Sequence, residues 1–147
     1  MSAARLRSTH LVALRRAAGL TQSELAALIG SPSRELRGGE WERGEAQPHP
    51  RYPVQLAAAL GVDPVELLDV DSDDPPLVAL RLAAGLTLQA VAASTGLSLS
   101  AYTRLEKGVV RSGPAPAAAE RLATALGIST ERLAQSLAHS RRARQLP

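Results

Sequence analysis

Gln22-Ser23-Glu24-Leu25-Ala26-Ala27-Leu28-Ile29-Gly30 is answered 66 residues later by Leu88-Gln89-Ala90-Val91-Ala92-Ala93-Ser94-Thr95-Gly96. Each stretch carries apolar residues at helical spacing, a small alanine (Ala26, Ala92) and a glycine four residues further on (Gly30, Gly96). A small side chain lets a second helix approach closely, and a glycine permits the turn that leads into it. The same offset recurs on both sides. Ala17-Ala18-Gly19-Leu20-Thr21 returns as Ala83-Ala84-Gly85-Leu86-Thr87, and Ala59-Leu60-Gly61 returns as Ala125-Leu126-Gly127. A fixed offset held at separate places means tandem copies of one small domain.

In the first copy, Leu11, Leu14 and Ala18 share one helical face, and Gly19 stands where a left-handed residue ends the helix. Thr21-Gln22-Ser23-Glu24 is a capping box that opens a second helix, which runs to about Ile29. Ser31-Pro32-Ser33 opens a third, since proline is tolerated in a first turn. A polar, proline-marked loop is expected from Gly44 through Pro53, then a fourth helix to Leu60. Asp63-Pro64-Val65-Glu66 opens a short fifth helix with an N-cap aspartate and proline behind it. The second copy repeats the plan, with helices around Leu77 to Ala84, Thr87 to Thr95, Ser98 to Lys107 and Pro116 to Leu126. Its fifth helix starts at Ser129, and nothing breaks it before Pro147. The expected fold is all-α: two tandem five-helix domains at residues 1–68 and 77–138. Residues 69–76 form an acidic, proline-containing linker, read as an extended, semi-rigid spacer, and 139–147 form a basic tail.

Composition narrows the function. Aromatics are 2% of 147 residues and Phe is absent, a palette suited to close-packed short helices rather than strands. Without cysteine there is no disulfide and no thiolate chemistry. His10, His49 and His139 lack ligand-like spacing, so no metal is expected, and no nucleophile–base pairing or glycine-rich phosphate loop suggests an enzyme or a cofactor. No apolar run approaches the roughly 18 residues of a membrane span. Ser2 to His10 lacks a signal-peptide core, which points to the cytoplasm. The formal charge of +3 favours a polyanionic partner only weakly. Its distribution says more, because four aspartates at 69–76 separate two mildly basic units, and three arginines lie in the tail.

The second copy continues from its turn as Gly96-Leu97-Ser98-Leu99-Ser100-Ala101-Tyr102-Thr103-Arg104-Leu105-Glu106-Lys107-Gly108. With the paired Ala and Gly and the five-helix frame, this resembles the Cro/Xre type of lambda-repressor-like helix-turn-helix domains, over about residues 8–68 and 77–137. The resemblance implies double-stranded DNA as partner, with the third helix in the major groove while the second helix and the loop after the third hold the backbone. Leu99, Ser100 and Arg104 match base-facing positions, flanked by Ser98, Thr103 and Lys107. Arg104 would read a guanine bidentately and Leu99 a thymine methyl. Tyr102 and Leu105 match inward positions. In the first copy the matching candidates are Gln22, Ser33, Arg34, Arg37 and Arg43. Arg15 with Glu42, and Arg81 with Glu106, match a family ion pair joining the first helix to the end of the third. Those arginines are read as structural.

The first copy departs from the pattern. Twelve residues separate Gly30 from Glu42, against ten from Gly96 to Glu106. Leu36 and Trp41 still fit the inward positions matched by Tyr102 and Leu105, so the surplus falls near Gly38-Gly39. Two glycines cost about 1 kcal/mol each in a helix interior, so a kink or bulge is expected there. Trp41 is read as core, the alternative being an exposed indole for a partner. The tail arginines Arg141, Arg142 and Arg144 either hold phosphate or are simply solvated.

These features describe a sequence-specific transcriptional regulator, for example a repressor, that is nucleoid-associated when DNA-bound. Tandem copies supply two reading heads without requiring a homodimer, although a homodimer or protein partner is compatible with the sequence. An eight-residue linker stretches to about 26–29 Å, enough to serve half-sites about 34–36 Å apart. The alternative is a protein-interaction adaptor or antitoxin-like partner in which only the second domain, if either, binds DNA. A nucleoid structural protein would be expected to carry more than +3.

Overall fold

The computed structural model describes residues 4–30, 36, 39–110 and 112–145. Among these the regular elements are helices. The first copy contributes α1 (Ser8–Ala17), α2 (Gln22–Leu28), α3 (Arg51–Leu60) and a 3-10 helix (Pro64–Leu67). The second contributes α4 (Leu77–Ala83), α5 (Leu88–Thr95), α6 (Leu99–Lys107), α7 (Pro116–Leu126) and α8 (Thr130–Gln145).

Side-chain caps set the helix starts. Thr21 Oγ1 accepts from Glu24 N at 3.0 Å, and Thr21 N donates to Glu24 Oε1 at 2.9 Å, which completes the capping box. Thr87 Oγ1 accepts from Ala90 N at 3.1 Å, with alanine where the returning acid would stand. Ser98 Oγ caps α6 through Ala101 N at 3.0 Å, and Ser129 Oγ caps α8 through Arg132 N at 3.1 Å.

Each copy gathers its own core. Leu11, Leu25, Leu36, Trp41 and Leu56 fill the first; Leu77, Val91, Tyr102, Leu122 and Leu133 fill the second. Trp41 is 1% exposed, its ring centroid 5.4 Å from that of Tyr52, so the indole is core and not a partner surface. Leu36 and Trp41 are both buried, so the stretched segment is anchored at each end as the spacing suggested.

Several expectations change. On α1 the buried partner of Leu11 is Arg15, while Ala18 is exposed, because the guanidinium is drawn inward by an ion pair. α3 begins at Arg51, which places Pro53 in its first turn, where a missing N–H leaves no bond unmade. The short fifth helix of the first copy forms as read, with Asp63 at its N-cap and Pro64 behind it, and is wound as the 3-10 helix Pro64–Leu67. It stops because Leu68 leaves in extended conformation to pair with Leu6. Arg7 N donates to Leu67 O at 2.6 Å and Asp69 N to Arg5 O at 2.7 Å.

The segment at 69–76 is not an extended spacer. Asp74 N bonds Asp71 O at 3.1 Å and Asp73 N bonds Asp71 Oδ1 at 3.0 Å, folding it into a turn. Arg7 Nη2 donates to Val70 O at 2.9 Å from one side. On the other, Asp74 Oδ2 lies 2.9 Å from His139 Nδ1 and accepts from Arg142 Nη2 at 3.1 Å. Val65 of the first copy belongs to the core of the second, and α3 and the 3-10 helix pack on α4. The copies therefore meet directly, and packing rather than linker reach sets their separation. α8 carries residues 139–145 on as helix. Ser140 Oγ is buried and accepts from Leu77 N at 3.4 Å, which ties that helix to the start of the second copy.

Candidate nucleic-acid interface

The third helix of such a domain must be held against the first two before any face of it can be offered to a ligand. In the second copy Arg81, 8% exposed on α4, does this work. Its Nε and Nη2 donate to Glu106 Oε2 and Oε1 at 2.5 and 3.3 Å, and its Nη1 donates to Leu86 O at 3.0 Å. One guanidinium thus fastens the end of α6 and the turn before α5 together, a fork geometry only arginine supplies. The first copy repeats it. Arg15 Nε and Nη2 reach Glu42 at 2.5 and 2.9 Å, and Nη1 reaches Leu20 O at 2.8 Å.

On α6 the inward face holds Tyr102 and Leu105, both buried. Tyr102 sits beside the Arg81–Glu106 pair. Burial first, then the Glu106 charge, pushes its phenol far above the usual ionisation range, so it is a neutral core residue. The opposite face is open. Ser98, Leu99, Ser100, Arg104 and Lys107 are exposed, with Leu99 at 43% despite being a large apolar residue. Thr103 is half-buried and donates its hydroxyl to Leu99 O at 2.8 Å. The second copy therefore brings its six candidates onto or beside the solvent face of one helix.

The first copy does not match this. Ser33, Arg34 and Arg37 lie outside the described residues. Gln22 is half-buried, and its Nε2 donates to Glu42 Oε1 at 3.1 Å, which makes it a third partner of the ion pair. Arg43 is exposed but forks onto Glu45 at 2.7 and 3.1 Å. The chain between Gly39 and Gly44 is a succession of turns, and Gly39 has φ +80°. A Cβ on Gly39 would lie 2.6 Å from Arg43 Nη1 and 2.9 Å from Gln22 Nε2, so both side chains close over it. Where a kink or bulge was expected near Gly38-Gly39, the chain makes a left-handed turn at Gly39.

Electrostatics follow this packing. Burial would raise the Glu42 carboxyl, but hydrogen bonds from Arg15 and Gln22 outweigh it and hold the group below the ordinary carboxylate range. The Glu42 hydrogen bond raises Arg15 correspondingly. Sequence reasoning missed Gln22 as a ligand of Glu42. It also missed Arg121, whose Nε donates to Thr95 O at 2.8 Å and closes the end of α5. Neither leaves a local sequence signal.

The Cro/C1-type helix-turn-helix family model matches the chain twice, at residues 11–67 and 77–133. The chain belongs to the helix-turn-helix family. No curated protein and no solved structure matches it significantly. The family is one of DNA-binding domains, generally without catalysis, and membership makes this chain one of a DNA-binding regulator family. Among the described residues no group of three His, Asp or Glu is placed to hold a metal ion. No single helix there is long and apolar enough to cross a membrane. α4 and α5 pass such a test only as a pair, and they are bent by 93° as the first two helices of the second copy.

Proposed function

We propose that this helix-turn-helix protein is a sequence-specific, double-stranded DNA-binding transcriptional regulator whose second copy is the principal reader. The observation that carries it is α6, with Tyr102 and Leu105 buried on one side and Leu99, Ser100 and Arg104 exposed on the other. In the major groove Arg104 reads a guanine through O6 and N7, Leu99 packs on a thymine methyl, and Ser100 takes either donor or acceptor. Ser98, Thr103 and Lys107 lie at the edges of that face and contact the backbone. The first copy adds phosphate contacts through its own third-helix region, with Arg43 exchanging Glu45 for phosphate. Bound across a promoter, such a protein acts as a repressor by occlusion, in the cytoplasm at the nucleoid.

An adaptor or antitoxin-like role has an observation of its own. Gln22 and Arg43 are both engaged by carboxylates of their own domain, and Gly39 interrupts the helix that would carry the reader. That makes the first copy a candidate for binding protein. Recovery of bound fragments from sheared genomic DNA by the purified full chain separates the two. One enriched motif supports the regulator, even coverage supports non-specific packaging, and no recovered DNA supports the adaptor.

A further inference from the structure

The described residues beyond the reading face offer one strongly charged surface that the proposed contacts leave unused. α8 turns basic in its last two turns, where Arg141, Arg142 and Arg144 follow His139 with no acid among them. The structure seats this end of the helix against the exit from α6. A Cβ on Gly108 would overlap the Ser140 carbonyl and lie 2.9 Å from Arg141 N, so the two backbones are in contact. Together Gly108, Val110, Arg141, Arg142 and Arg144 line an open concavity of about 730 Å³.

This edge already receives an oxyanion. Asp74 of the turn at 69–76 accepts from Arg142 at 3.1 Å and lies 2.9 Å from His139. It occupies Arg142 and leaves Arg141, half-buried, and Arg144, exposed, on the concave side. Arginine forks suit phosphate oxygens, and a phosphate contact adds affinity without reading sequence.

We infer that α8 is a clamp for the DNA backbone, in which Arg141 and Arg144 hold phosphates beside the groove that α6 enters. This rests on the DNA-binding role proposed above. The second copy then grips DNA at the C-terminal end of its reading helix with residues outside the matched family region, 77–133. Arg142 joins when phosphate replaces Asp74.

The test is fluorescence anisotropy of the full chain on labelled duplexes, one carrying the site selected from genomic DNA and one a scramble of it, across a salt series. Each phosphate contact contributes about 0.9 to the slope of log K against log salt, so Arg141→Ala with Arg144→Ala should lower its magnitude by about 1.8. The affinity should fall by the same factor on both duplexes. Arg141→Lys with Arg144→Lys should retain the slope, and Arg132→Ala, on the first turn of the same helix, should not alter it. Circular dichroism of each variant confirms the helix content. A slope unchanged in the double-alanine variant, with wild-type binding intact, overturns the clamp and leaves the arginines as partners of the helix C-terminus. A wild-type chain that binds neither duplex overturns the clamp and the DNA-binding role together.

Discussion

Gly108→Ala is the most exacting perturbation of how the last helix is seated. Gly108 has φ +71°, and a Cβ there would overlap the Ser140 carbonyl oxygen and stand 2.5 Å from its carbon. Those are backbone atoms of a packed helix, so α8 itself must shift. Left-handed backbone costs a residue with a Cβ about 1–2 kcal/mol and overpacking adds about 1–3 kcal/mol, together about 2–5 kcal/mol. Gly127→Ala isolates the first contribution. Gly127 has φ +69°, but a Cβ there meets nothing within 4 Å, so only the backbone cost of about 1–2 kcal/mol should appear. Urea unfolding of the full chain, compared at a common m-value, reads both. The expected result is a distinctly lower midpoint for the Gly108 variant. Equal losses at the two glycines would mean that α8 does not lie against the end of α6, and the geometry behind the backbone clamp would go with it.

Arg104→Ala should weaken binding to the selected site by about 1–3 kcal/mol and relax preference at one or two base pairs; an equal loss on scrambled DNA would make Arg104 a phosphate contact. Glu106→Ala leaves Arg81 in a pair whose side chains are only 9% and 11% exposed, so its cost should approach the about 3–5 kcal/mol of breaking a buried pair, and an unchanged melting temperature would contradict the geometry. The Glu42 carboxyl is held below its ordinary value of 4.5 when folded, so its contribution is fully present above that pH and is lost as pH falls through the folded value. Glu42→Gln should therefore flatten the acid limb of stability against pH, and an acid limb identical to wild type would rule the linkage out. Val65→Ala, in the first copy by sequence, should cost about 1.5–3 kcal/mol and loosen hydrogen-exchange protection in α4 to α8; loss confined to the first copy would place Val65 in the wrong core.

Much of the fold was written in local signals. Thr21 and Glu24 stand three apart as a capping box requires, and both bonds form. Arg15 with Glu42 and Arg81 with Glu106 were legible through the family resemblance, which implies one such pair in each copy. The first copy's short last helix was legible in its Asp63 cap and Pro64, while its end is set by the distant pairing of Leu68 with Leu6. The docked turn at 69–76 was invisible for the same reason, since Asp74 finds His139 and Arg142 at separations of 65 and 68 residues. On α6, the buried and exposed sides followed from the family resemblance, which implies Tyr102 and Leu105 inward. The bond of Gln22 to Glu42 was not legible, because its side chain suits DNA and Glu42 equally and only tertiary packing brings the two together.

The most direct test of the central claim is the affinity of the full chain for its selected duplex against a scrambled duplex of equal length, at one fixed salt concentration. Base reading by α6 predicts a preference of at least about 10³-fold for the selected site, the lower end for specific regulators. Equal affinities would contradict it, leaving a protein that holds the DNA backbone without reading its sequence.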